Sequence, residues 1–304
     1  MKRFLIAFIL VFVLLVLCFG FTACIGYTTQ TRYDDADKYL VGSQTYVATD
    51  LVALNVDWNM GKLTLVEDDT ATCITVTEEN ALGNEKKVHS YYHDGILDIH
   101  FWKSGLRDHV YWKEKQLTIT FRSVRDLRVV MTSGNVVADK LTVETANIKM
   151  TSGDIDIKTL QSNSFTCHMT SGDLSVEETV SKEIAFEMTS GKGKFGSVKA
   201  ETVSISQTSG DIDIRDIGTN SFYADSTSGD VKVAFSRAEK ASFTMTSGDA
   251  EIKLPESGAT ASVALTTGSF KTDLPYTVDF GKYVFGEGKC DLGIKMTSGS
   301  VRIK

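Results

Sequence analysis

Apolar and polar residues alternate along most of this chain with a period of two, and glycines punctuate the alternation at a fixed interval. Phe165, Cys167 and Met169 precede Gly172, and Leu174 and Val176 follow it. The next units repeat these offsets with Ile184, Phe186 and Met188, then Val203 and Ile205, then Phe222 and Ala224. Alternation of this kind places the side chains on one face of a strand. Gly134, Gly153, Gly172, Gly191, Gly210, Gly229 and Gly248 stand 19 residues apart without slip. A fixed short period is the signature of stacked units that lean on their neighbours. One unit offers about five or six inward positions worth roughly 1.5–3 kcal/mol each, against a backbone entropy of about 1–2 kcal/mol per residue. A single unit therefore cannot stand alone.

The pattern predicts an all-β chain, and two geometries satisfy it. In a parallel β-solenoid, a single-stranded β-helix, each rung of about 19 residues lies on the same strands of the next. In a meander, Ser-Gly would be a two-residue hairpin loop. Equal intervals favour the solenoid, because every rung must match its neighbour's circumference while hairpin loops tolerate insertions. Leu54, Val56 and Trp58 hold the same offsets before Gly61, so residues 48–126 read as a degenerate amino-terminal version of residues 127–304. Within it, Asp94-Gly95 between alternating runs predicts a hairpin. After Gly248 the rule loosens, with Gly268 coming 20 residues later and Gly299 another 31 later, as expected of a cap. Met296–Ile303 is predicted to be the last rung, its edge guarded by Arg302 and Lys304.

The first residues bear on the compartment. Met1-Lys2-Arg3 precedes an uncharged apolar run from Phe4 to Phe21, so residues 1–24 read as a signal peptide or a membrane-anchor helix. The positive-inside rule then puts residues 25–304 on the extracytoplasmic side of a bacterial cell membrane. Phe21-Thr22-Ala23-Cys24 is similar to a lipobox, in which Cys24 would be lipid-modified; lipidation and an uncleaved helix both stay open. Residues 25–47 are polar and aperiodic and read as a stalk. Cys73, Cys167 and Cys290 are odd in number without paired spacing, which argues against a disulfide framework, and Cys167 sits at an inward offset as a small hydrophobe. The net charge of −7 carries no nucleic-acid footprint.

Stacking would bring Asp154, Asp173, Asp211, Asp230 and Asp249 onto one edge, where carboxylates could bind calcium. The competing reading is structural: glycine supplies a positive φ, and Asp, Ser and Thr bond the turn backbone. Lys192 would interrupt an ion row, and the structural reading is favoured. His89 and His93 lie four apart on a strand, about 13 Å from one another, and make no helical metal pair. No nucleophile elbow or phosphate loop is present, and no catalytic or cofactor-binding residue is assigned. Lys192 and Lys194 are the nearest approach to an enzymatic departure from the repeat, keeping a carbohydrate-active β-helix as the alternative function. Aromatic residues concentrate between 91 and 112, and Trp102, Arg107, His109 and Trp112 are the candidate binding surface. Capping of the solenoid's open end explains the same residues.

The recurrent Thr-Ser-Gly-Asp units at residues 131–303, the Val56-Asp57-Trp58-Asn59-Met60-Gly61 opening and the Gly-rich last rung resemble a bacterial putative-adhesin family of repeat domains of unknown function. The resemblance spans roughly residues 48–304. It implies a β-strand repeat at the cell envelope with no established catalytic residues. The expected function is a non-enzymatic binding or scaffold module of the cell envelope, adhesin-like or related to envelope stress, with the membrane and a cell-wall, polysaccharide or envelope-protein partner, and its oligomeric state is open.

Overall fold

The computed structural model describes residues 32–80, 83–106 and 115–304. The apolar run at 4–21, Cys24, Arg107, His109 and Trp112 lie outside the described residues. Among the described residues no helix is long and apolar enough to cross a membrane. Contacts divide the chain into two units. In the smaller, Met1–Ala36 with Ser104–Tyr111, the Tyr33 amide donates to Ser104 Oγ at 3.1 Å. The larger, Asp37–Lys103 with Trp112–Lys304, holds the sheet.

The strands run in chain order β1 (Leu40–Val41), β2 (Gln44–Tyr46), β3 (Asp50–Glu67), β4 (Ile74–Glu79), β5 (His89–His93) and β6 (Ile96–His100). They continue as β7 (Lys115–Phe121), β8 (Ser123–Thr142), β9 (Thr145–Gln161), β10 (Ser164–Ser209), β11 (Asp211–Ser228) and β12 (Val231–Arg237). The last are β13 (Lys240–Lys253), β14 (Ala259–Thr272), β15 (Thr277–Asp279), β16 (Lys282–Phe285) and β17 (Cys290–Ile303). Together they form an all-β, parallel-rich sheet of solenoid type. Partners in β8, β9, β10 and β11 are parallel and 19 residues apart, as in Met131↔Met150, Met150↔Met169 and Lys192↔Asp211. A hairpin meander would have required antiparallel pairs, so that geometry is excluded for this region.

The core follows the alternation. Phe165, Cys167, Met169, Leu174 and Val176 are buried, as are their counterparts in neighbouring units. Burial pushes the Cys167 thiol well above the ordinary cysteine range. Gln207 and Ser226 stand at the inward offset that methionine holds elsewhere, and the Gln207 amide donates to Ser226 Oγ at 3.0 Å. Adjacency in the stack gives the Gln207 side-chain nitrogen and the Ser226 hydroxyl a partner in one another.

At each corner a glycine is stacked directly on the next. Gly172 has φ +115°, and a Cβ there would lie 1.9 Å from the carbonyl oxygen of Gly153. Gly61 lies on Gly134 in this same column, and Lys115 stands against Gly61 on its far side. Gly95 does not join the column. It is the turn of the β5–β6 hairpin, where Asp94 and Gly95 both have positive φ, as that loop type demands.

Both ends of the array depart from chain order. β3 lies between β8 and the pair β6 and β7, so the first long strand is interior. β17 lies between β13 and β14, with Gly299 between Gly248 and Gly268. The expectation that Met296–Ile303 ends the stack is therefore corrected: β14 is the outer strand, and Arg302 and Lys304 guard no edge. The offsets of the three units are alike, so each fits against either neighbour, and the long connection through β15 and β16 lets the chain return inside. Residues 40–46, read as stalk, also belong to the body, as β1 pairs with β5 and β2 with β4.

Lys115 closes the amino-terminal end of the core. Its ammonium lies 2.7 Å from Glu78 Oε1 with both side chains buried, donates to the Lys86 and Phe101 carbonyls, and sits 3.9 Å from the Phe101 ring centre. Burial lowers its pKa, and Glu78 opposes the shift.

The glycine column gives a direct test. Gly172→Ala should destabilise the protein by more than about 2 kcal/mol, since it adds both a left-handed conformation for an L-residue and a backbone collision. Thr170→Ala, on the exposed side of the same corner, should stay within about 0.5 kcal/mol. Urea unfolding of the two variants checks this; equal midpoints would show that the column yields without cost.

Candidate functional site

The aspartate ladder is built from corner geometry. Each turn directs the residue after glycine outward, one rung from its counterpart, where a carboxylate reaches the neighbouring amide. The Asp173 amide donates to Asp154 Oδ1 at 3.0 Å and the Lys192 amide to Asp173 Oδ1 at 3.0 Å. The Asp249 amide donates to Asp230 Oδ1 at 2.8 Å and the Ser300 amide to Asp249 Oδ1 at 2.9 Å, while Asp211 accepts from the Asp230 amide at 3.3 Å. Asn135 serves in the same way toward Asp154 at 3.4 Å. Lys192 has no acceptor to pass on; its ammonium stands 4.0 Å from Asp211 Oδ2, and the ladder divides there into two runs. One oxygen of each named aspartate is thus spent on a backbone amide. Among the described residues, no group of three or more His, Cys, Asp or Glu side chains converges as a metal site would.

Of the proposed aromatic surface, only Trp102 is described. It is 6% exposed and packs edge-on against Phe101 with ring centres 5.2 Å apart, so it is part of the amino-terminal core. Lys192 and Lys194 are exposed, and Lys194 lines a groove of 320 Å3 with Glu177, Asp213 and Arg215.

The structure instead gathers a half-exposed aromatic and histidine cluster on the outward face of β3, β5 and β6. Tyr91 stacks on His93 with centres 4.6 Å apart, and Tyr39 lies 5.4 Å from Tyr91 and 5.3 Å from His100. A carboxylate stands beside each of the two imidazoles. His93 Nε2 is 3.0 Å from Asp98 Oδ2, and His100 Nδ1 is 3.4 Å from Asp57 Oδ2. Asn55 donates to Asp98 at 2.8 Å, and Arg128 donates to Asp57 at 3.0 Å. Burial lowers the His100 pKa against the pull of Asp57, which favours the neutral ring. His100 pairs across the hairpin with His89, whose pKa burial also lowers.

The cluster continues along the array. Parallel register places His100, Asp57, Val130, Lys149 and His168 in one outward row, and His168 Nδ1 lies 2.8 Å from Glu187 Oε2 in the next rung. Lys149, His168, Glu187 and Ser206 line one wall of a 420 Å3 groove, with Thr151, Thr170, Thr189 and Thr208 on the other. This row is an extended face without a single convergent centre. Tyr39 escaped the sequence reading because it lies in the aperiodic segment; the alternation of Asp98 and His100 with the inward Leu97, Ile99 and Phe101 could have placed those two on the outer face.

A family model matches residues 59–304 and is described as Toastrack DUF4097. The chain belongs to the Toastrack DUF4097 family. Solved structures share this chain's fold. A putative adhesin from Parabacteroides merdae is 14% identical, with 87% of this chain and 96% of that chain covered and a TM-score of 0.56. A putative lipid binding protein from Parabacteroides distasonis is 12% identical over 87% and 97% of the two chains, with a TM-score of 0.53. A putative adhesin from the same species is 15% identical over the same shares, with a TM-score of 0.52. These identities establish likeness of fold. No curated protein matches the chain.

The ladder's role can be tested without a ligand. Asp173→Ala leaves the Lys192 amide without its acceptor and should lower the melting temperature by roughly 2–4 °C, whereas Asp173→Asn keeps the carbonyl acceptor and most of the stability. A chelator should move the melting temperature of the unmodified protein by less than about 1 °C. A large chelator effect would return calcium to the ladder.

Proposed function

We propose that this chain is a non-enzymatic, adhesin-like binding module held on the outer side of a bacterial membrane. It is a single-stranded solenoid of 19-residue rungs whose outward strand face takes an extended envelope polysaccharide. The row from Tyr91 and His100 to His168 and Glu187 carries this reading. A groove shared by several rungs offers repeated polar contacts along its length, which suits a polymer better than a compact ligand. Aromatic rings flanked by Asp98, Asp57 and Arg128 suit sugars, which present apolar ring faces and hydroxyl edges. Membership of the Toastrack DUF4097 family and folds shared with proteins named as putative adhesins agree with it.

Retention of the full-length protein on a panel of cell-wall and capsular polysaccharides tests the proposal. Tyr91→Ala and His168→Ala should each weaken retention about ten-fold, the cost of one lost stacking or hydrogen-bonding contact in a desolvated site. Retention indifferent to both would remove the face from consideration. Release of reducing ends, lost in Lys194→Ala, would favour an enzyme using the groove of Glu177, Lys194, Asp213 and Arg215.

Anchoring rests on Phe4–Phe21, either as an uncleaved helix or as a signal that ends at lipid-modified Cys24. The protein should fractionate with membranes and be open to protease added outside intact cells. Mass spectrometry of its amino terminus separates the two anchors, and recovery from the cytosol would refute both.

A further inference from the structure

The outermost strand of the array is open, and it carries no charge before Lys271 near its end. β14 pairs with β17 along its whole length, but on its other side only Ala259–Ala261 are paired, with Tyr283–Phe285 of β16. Among the described residues, no strand covers 262–272. Val263 and Leu265 are half-exposed, although they stand at the offsets of Phe243 and Met245, which are 1% and 2% exposed two strands further in. Beside this edge, the β15–β16 hairpin holds out Val278 and Phe280, 63% and 99% exposed, with Phe280 at φ +46°.

Edge strands are ordinarily protected from pairing by charge, proline, a bulge or brevity. Residues 259–270 contain no Asp, Glu, Lys, Arg or Pro. The strand beneath, β17, carries Asp291, Lys295 and Arg302. The opposite end of the array is protected: β4 and β5 cover β7 and β6 in antiparallel fashion, and β2 and β1 beyond them are only three and two residues long.

We propose that β14 is a dimerisation edge. Two copies of this chain pair antiparallel about a two-fold axis, Ser262–Thr266 against Ser262–Thr266, and the two cores become continuous. A two-fold contact sets each surface against its own copy, so a charge at its centre would face itself; an uncharged edge meets that condition. A partner of another kind could have matched a charged edge with opposite charges. Because the other end of the array is blunted, head-to-tail stacking is blocked and association stops at two. The proposal stands independently of the polysaccharide reading, which uses a different face.

Sedimentation of the full-length protein in detergent, over a range of concentrations, tests it. The unmodified chain should be a dimer. Ala264→Lys, on the exposed side of β14 at the centre of the contact, should weaken dimerisation about ten-fold or more while leaving the melting temperature of the monomer unchanged. Thr244→Lys, at the corresponding position of interior strand β13, should leave the dimer intact. A chain monomeric at every concentration, growth beyond two copies, or a dimer indifferent to Ala264→Lys would each overturn the proposal.

Discussion

Backbone contact at one corner governs this molecule. In the glycine column, the place where a Cβ would project is occupied by the carbonyl of the next rung, at separations of 1.7–2.2 Å from Gly61 to Gly299. No side chain can be interposed, so the corner tolerates one residue type and one positive-φ conformation. That contact holds the register. Once glycine is stacked on glycine, the alternating side chains before and after it must coincide with those of the neighbour, and the core becomes columns of like residues such as Met131, Met150, Met169 and Met188. The residue after glycine is brought within reach of the next amide, which is why Asp or Asn recurs there and why one lysine divides the ladder without disturbing the stack.

The same uniformity explains what the sequence could not reveal. Strand type, inward offsets and the Asp94-Gly95 hairpin were legible because each depends on local patterning. Strand order at the ends was not. The units around Gly248, Gly268 and Gly299 present interchangeable faces, so spacing alone cannot tell which lies between the others. Insertion of β17 beneath β14 depends on a long connection able to return, and of β3 beneath β6 and β7 on the whole amino-terminal excursion. Both are topological facts carried by no single residue.

The candidate site was legible only in part. The aromatic concentration drew attention to the segment that also holds Tyr91, His93 and His100, but composition could not separate core from surface. Trp102 went inward to pack with Phe101 and complete the end of the core, while Tyr91 and His93 remained on the outer side. Tyr39 joined them from a segment too short and polar to show alternation. Contact between these groups depends on the antiparallel pairing of β5 with β6 and with β1 beside Tyr39, and the parallel pairing of β3 with β6 then sets Asp57 beside His100.

A repeat protein of this kind separates, within each rung, the residues that hold the stack from those that face outward. Glycine, aspartate and the inward side chains are held constant by their neighbours above and below, so changing one disturbs two contacts. The outward residues of the strand before glycine carry no such obligation. They vary freely from Asp57 to Lys149, His168 and Glu187 while the backbone beneath them does not move. Variation on an invariant lattice lets charge and hydrogen-bonding character change rung by rung, which is the freedom that the proposed polysaccharide face would use. The Thr-Ser-Gly-Asp corner is the most visible feature of the chain, and its uniformity follows from the stacking it must satisfy.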